Sequence, residues 1–83
     1  MTDQEIMQEV RTFIAQTFLD GDDKGLDEKT PLLQTGIVDS MGMMELLSFI
    51  RDRFELKLPE EEVRPENLEN LGVIVALVKR FRS

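Results

Sequence analysis

Gly36-Ile37-Val38-Asp39-Ser40-Met41-Gly42-Met43-Met44-Glu45-Leu46 decides how the whole chain is read. An apolar Ile37-Val38 pair runs into Asp39-Ser40, and methionines and a leucine follow at helical spacing. Aspartate and serine are ordinary helix N-caps, because their side-chain oxygens accept from backbone N–H groups that have no intrahelical partner. One reading is therefore a capped helix and nothing more. A second reading starts from the same free N–H groups. A serine hydroxyl at the positive end of a helix is a natural seat for a phosphodiester.

Downstream, the pattern predicts a helix from Asp39-Ser40 to about Phe54. Its apolar residues, Met43, Met44, Leu46, Leu47, Phe49, Ile50 and Phe54, cover more than one face. Such a helix is either central in the core or offers part of itself to a partner. Glu55 to Pro59 alternates too briefly for a convincing strand, and its leucines can anchor a loop. A short helix is expected over Glu60 to Val63, interrupted by Pro65. Asn70 then caps a last helix, Leu71 to Phe81, with Lys79, Arg80 and Arg82 at the end where cations complement its dipole.

Upstream, Thr2 and Glu5 have capping-box spacing. They open a helix from Asp3 to Phe18 with an apolar stripe of Ile6, Val10, Phe13, Ile14 and Phe18. A loop from Leu19 to Asp39 follows, in which Leu26, Leu32, Leu33, Ile37 and Val38 are expected to dock on the core. Thr30-Pro31 disfavours helix at its centre, and Gly36 is expected in a turn. The expected fold is all-α: a small four-helix bundle of three main helices, one short helix and a long first loop. It forms one domain over residues 1–83.

Composition narrows the function. The 83 residues carry 10 Lys+Arg against 17 Asp+Glu, a net charge of −7. There is no His, Cys, Trp or Tyr. Without His or Cys the chain has no Ser-His or Cys-His nucleophile pair, no zinc site of the usual ligands and no disulfide framework. An acidic chain is a poor phosphate-backbone binder and is repelled by anionic membranes, so a basic protein partner suits it better than nucleic acid. No signal peptide is visible, and Leu71 to Val78 is too short to span a bilayer; a cytoplasmic protein is expected. A 9.6 kDa chain should fold to an area of roughly 5,000 Å², enough for one small core and no deep pocket.

The Gly36 to Met41 segment resembles the Gly-x-x-Asp-Ser-[Leu/Met] hallmark of the acyl and peptidyl carrier proteins, where it opens the second helix of a four-helix bundle. The resemblance extends to Leu32-Leu33, Glu45-Leu46, the Phe54 to Pro59 exit and the last helix. It implies that Ser40 carries a 4′-phosphopantetheine arm whose thiol holds an acyl or aminoacyl group as a thioester. Asp39 would help a phosphopantetheinyl transferase orient the serine. Met41 and Met44 would form an adaptable apolar contact patch. Glu45 and Asp52 would pair with basic residues of partner enzymes. The implied partners are the transferase, an adenylating acyl or aminoacyl ligase and downstream acyl-using enzymes, each meeting a monomeric, non-catalytic carrier. The residues themselves leave other roles open: Met43 and Met44 can be plain core, and Glu45 a solvated face.

Departures narrow the type. Gly42 replaces a common acid, and Arg51 and Arg53 interleave with Asp52 and Glu55, unlike the strongly acidic second helix of fatty-acid-synthase carriers. The Asp-Ser-Met-Gly-x-x-Glu-Leu run looks closest to free-standing carriers that work with an adenylating ligase, including D-alanyl and aminoacyl carriers. A fatty or polyketide acyl carrier is the alternative, and an unmodified acidic interaction module is a second one. Gly42 is expected to loosen the first helical turn and leave room for a ligase, so that Gly42→Glu should stay folded but load poorly. Two further readings fail. Asp20, Asp22 and Gly25 match EF-hand positions, but Lys24 and Pro31 stand where ligands are needed. The carboxylate runs Asp22-Asp23 and Glu60-Glu61-Glu62 read as solvated faces, not as an acid/base pair.

Overall fold

The computed structural model describes residues 1–82. Three α-helices form: α1 over Asp3–Phe18, α2 over Ser40–Phe54 and α3 over Leu71–Phe81. Each opens on a side-chain cap that the sequence supplies. Thr2 and Glu5 make a reciprocal capping box, Thr2 N–H to Glu5 Oε1 at 2.8 Å and Glu5 N–H to Thr2 Oγ1 at 3.2 Å. Asn70 Oδ1 accepts from Val73 N–H at 2.8 Å. α2 ends as Glu55 turns left-handed at φ +53°.

Direction follows from the pairs between helices. Arg53 on α2 grips the Glu9 carboxylate of α1 through Nε and Nη2, while Gly42 at the start of α2 lies against Phe18 at the end of α1. Lys79 on α3 reaches Asp3 of α1 at 3.2 Å. So α1 runs antiparallel to both α2 and α3. One end of the molecule therefore gathers the start of α2, the start of α3 and the long loop. The loop is tied there by Leu32 N–H to Glu69 C=O and Gly72 N–H to Glu28 C=O, at 2.9 and 3.0 Å.

The helices close on a single apolar core. Ile6, Val10 and Ile14 of α1, Leu46 and Ile50 of α2, and Leu71, Ile74 and Val78 of α3 are fully buried. Leu26, Leu32 and Val38 bring the loop into the same core. The total accessible area, 5169 Å², agrees with the size expectation.

Three local expectations change. The short third helix is two 3-10 turns, Glu60–Glu62 and Pro65–Leu68. Pro65 opens the second turn instead of interrupting a helix, because proline lacks only an N–H that a first helical position does not use. Leu33, expected on the core, is exposed and only Leu32 beside it is buried. After α2, Leu56 makes one isolated antiparallel bridge with Arg82, and Lys57 N–H donates to Phe81 C=O at 3.2 Å. Gly36 adopts the expected turn, at φ +79°.

Candidate functional site

The first turn of α2 assigns different work to its two neighbouring polar residues. Asp39 is the cap: its backbone is extended and its Oδ1 accepts from Gly42 N–H at 2.7 Å. Asp39 C=O accepts the first intrahelical bond, from Met43 N–H at 2.9 Å. Ser40 is thereby relieved of capping. It is exposed, and its hydroxyl makes no hydrogen bond among the described residues. The N–H groups of Ser40 and Met41 precede the first intrahelical bond and point out of the helix start. The result is a free hydroxyl beside two free donors at the positive helix end, the arrangement that suits an anionic ester.

The methionines divide. Met43 is buried and belongs to the core, whereas Met41 is 79% exposed and Met44 61%. Three residues apart on a helix, Met41 and Met44 share a face. Glu45 is exposed and lines a groove with Asp39, Met41, Gly42, Phe18 and Ile37. On the other side of Ser40 lies a groove of about 170 Å³, floored by Leu33, Met43, Met44, Val63 and Pro65 and edged by Arg64. Asp39, Ser40, Met41, Met44 and Glu45 are thus brought together. Asp52 is not: it is exposed on α2 about 18 Å from Ser40 at 1.5 Å per residue.

Gly42 has a different role from the one expected. It is buried, and a Cβ there would lie 2.7 Å from Phe18 Cε1 and 3.1 Å from Asp39 Oδ1. The missing side chain makes room for Phe18, not for a partner enzyme. Gly42→Glu therefore disturbs packing and is no clean test of ligase docking. Arg64, Leu33, Val63 and Phe18 also lie at the site and were not singled out from sequence for it. Arg64, Leu33 and Val63 are placed by the fold of the loop and of the 3-10 turns, which carries no motif, and Phe18 by the packing of α1 on α2.

The comparisons with known proteins bear on this geometry. Residues 8–78 match the model of the family described as "Phosphopantetheine attachment site". The chain is 39% identical over 70 residues to a probable acyl carrier protein, PigG, of Serratia sp., spanning 84% of this chain and 80% of that protein. It is 29% identical over 79 residues to the D-alanyl carrier protein of Streptococcus sanguinis, spanning 95% and 98%. A solved chain described as "Crystal structure of FAD-dependent dehydrogenase" superposes with a TM-score of 0.71 at 40% identity, covering 83% of this chain and 97% of that one.

The residues fit the group that this family carries. An ester on the exposed Ser40 hydroxyl displaces no hydrogen bond and no core side chain, and free N–H donors stand beside it. A match over most of the chain, joined to an all-α fold that presents this helix start, places the protein in the phosphopantetheine-bearing carrier family: it is a carrier that presents acyl or aminoacyl cargo on a covalent 4′-phosphopantetheine arm.

Proposed function

We propose that Ser40 is the residue that bears the arm and that this chain is a free-standing, non-catalytic carrier working with an adenylating ligase. The observation that carries the reading is the separation of duties at the start of α2: Asp39 caps, so the Ser40 hydroxyl has no structural bond to give up. The bound arm supplies the thiol that holds the cargo as a thioester. The chain's own residues do simpler work. Asp39 fixes the helix start and keeps Ser40 at its outer edge. Met41 and Met44 offer thioether surface that adapts to several partners. Glu45 adds a negative charge next to that patch for a basic partner residue, and Asp52, farther along α2, serves a partner footprint wide enough to reach it. The acceptor hydroxyl has no base of its own, in keeping with a transferase that brings the base.

The preferred cargo is an amino acid or other small acid activated by a ligase. The D-alanyl carrier relative supports this, as does a core filled by its own side chains. Among downstream partners, a flavin dehydrogenase is supported by the solved structure described under that name. Because 83% of this chain accounts for 97% of the matched one, that chain is itself of carrier size. A cytoplasmic setting suits all of these partners.

The test is direct. The apo protein is incubated with coenzyme A and a broad-specificity phosphopantetheinyl transferase, and its intact mass is measured. Wild type gains one phosphopantetheine, and Ser40→Ala gains none. An equal gain in both would move the attachment point away from Ser40.

A further inference from the structure

The two grooves beside Ser40 differ in charge. The groove toward α1 is lined by the carboxylates of Asp39 and Glu45 and holds no cation. The groove toward the 3-10 turns holds one charged group, the Arg64 guanidinium, over an apolar floor. Arg64 is 54% exposed at its side chain, and its one ion pair among the described residues, to Glu66, is long at 3.9 Å. Its donors are therefore largely free for another anion. A phosphodiester joined to Ser40 is a permanent anion tethered at the edge of the second groove, which Ser40 itself lines, with Asp39 and Met41 of the first groove as its chain neighbours. Carboxylates repel it on one side, and a guanidinium attracts it on the other.

We propose that Arg64 is a positioning residue for the arm. It pairs with the phosphodiester on Ser40 and draws the arm into the groove over Met44, Val63 and Pro65, where the arm rests between encounters with enzymes. The proposal rests on the reading that Ser40 bears the arm. The apolar floor suits the alkyl part of the arm, and the groove, at about 170 Å³, is small enough that the distal thioester stays outside. The pair is exposed, so the resting state is shallow and a partner's surface displaces it readily. Bidentate recognition of a phosphate is specific to the planar guanidinium, so lysine is an incomplete replacement.

The experiment compares apo and holo forms of wild type, Arg64→Gln and Arg64→Lys by amide and methionine-methyl NMR, with intact mass confirming one arm per molecule. In wild type, arm addition shifts the Val63 and Arg64 amides and the Met44 methyl as well as Ser40 and Met41. In Arg64→Gln the shifts at Val63 and Met44 fall by more than half while those at Ser40 persist, and Arg64→Lys lies between. Concentrated salt has the effect of the glutamine variant. Shifts confined to Ser40 and Met41, shifts at Phe18 and Glu45 instead, or shifts unchanged in Arg64→Gln overturn the clasp. A wild type that gains no arm mass, or a Ser40→Ala that does, overturns the underlying reading, and the mass spectrum separates that failure from the first.

Discussion

Gly42 shows how one absent side chain shapes the site. It sits in the first turn of α2, where glycine is a poor helix former, and alanine would gain up to about 1 kcal/mol in helix propensity. Phe18 opposes that gain, because a Cβ at position 42 would meet its ring edge at 2.7 Å. The ring is not free to leave. It packs edge-on against Phe13 at 6.3 Å between centroids, and Phe13 stacks on Phe49 at 4.2 Å. Overpacking of this kind costs about 1–3 kcal/mol. Gly42→Ala is therefore expected to lower stability by about 1 kcal/mol, read in urea denaturation, while arm addition to Ser40 still occurs. A more stable variant would show that the ring yields freely. The sequence displayed Gly42 plainly, but its reason lies in Phe18, more than twenty residues away, and only the antiparallel packing of α1 on α2 brings the two together. Ser40 and Asp39 were legible as a pair because a helix start is local. Which of the two caps the helix was not, because it depends on which side chain the backbone turns toward Gly42.

At the scale of elements, the helices were legible and the connections were not. The caps at Thr2, Asp39 and Asn70 and the apolar spacing mark α1, α2 and α3 with little ambiguity. The segment from Pro59 to Leu68 has no apolar period to follow, and three glutamates in a row say little beyond solvation. It forms two 3-10 turns whose bonds close over three residues, too short for periodicity to register. The long loop, by contrast, has an internal device. Asp27 Oδ1 accepts from Lys29 N–H at 2.8 Å and from the Thr30 hydroxyl at 3.1 Å, and Thr30 Oγ1 accepts from Asp27 N–H at 3.0 Å. The Lys29 N–H, helped by Thr30, holds the Asp27 carboxyl below the usual aspartate range. The Thr2 N–H does the same for Glu5 at the start of α1. Both pKa values are depressed by folding. Their contribution to stability is full above the unfolded values and is lost as pH falls through the folded ones. Carbon-13 titration should place both midpoints below the ordinary values, and Asp27→Asn should remove part of the acid sensitivity. An ordinary Asp27 midpoint would mean that the loop bond does not persist in solution.

For the whole molecule, charge is arranged by end. The loop from Leu19 to Asp39, across the end that holds Ser40, carries six acids against two bases. The opposite end, where α1 begins and α2 and α3 finish, is mixed: Arg51, Arg53, Lys57, Lys79, Arg80 and Arg82 stand among Asp3, Glu5, Asp52, Glu55 and Glu62. A basic partner therefore meets an attractive field on the side of Ser40, although α2 itself is mixed in sign. Replacing Asp20, Asp22 and Asp23 together by asparagine is expected to slow association with a basic transferase several-fold at low salt. Stopped-flow rates for the two proteins should converge as salt rises. A wild-type rate indifferent to salt would contradict this orientation by charge. The absence of histidine and cysteine leaves this field without the side chains that ordinarily titrate near neutral pH. The Leu56–Arg82 bridge ties the residue after α3 to the segment after α2. It fixes the last described residue at the far end, and Arg82 Nη1 there donates to the Met1 carbonyl at 3.4 Å. Residues 1 and 82 therefore lie together away from Ser40, and a dye or bead attached beside either leaves the serine facing outward.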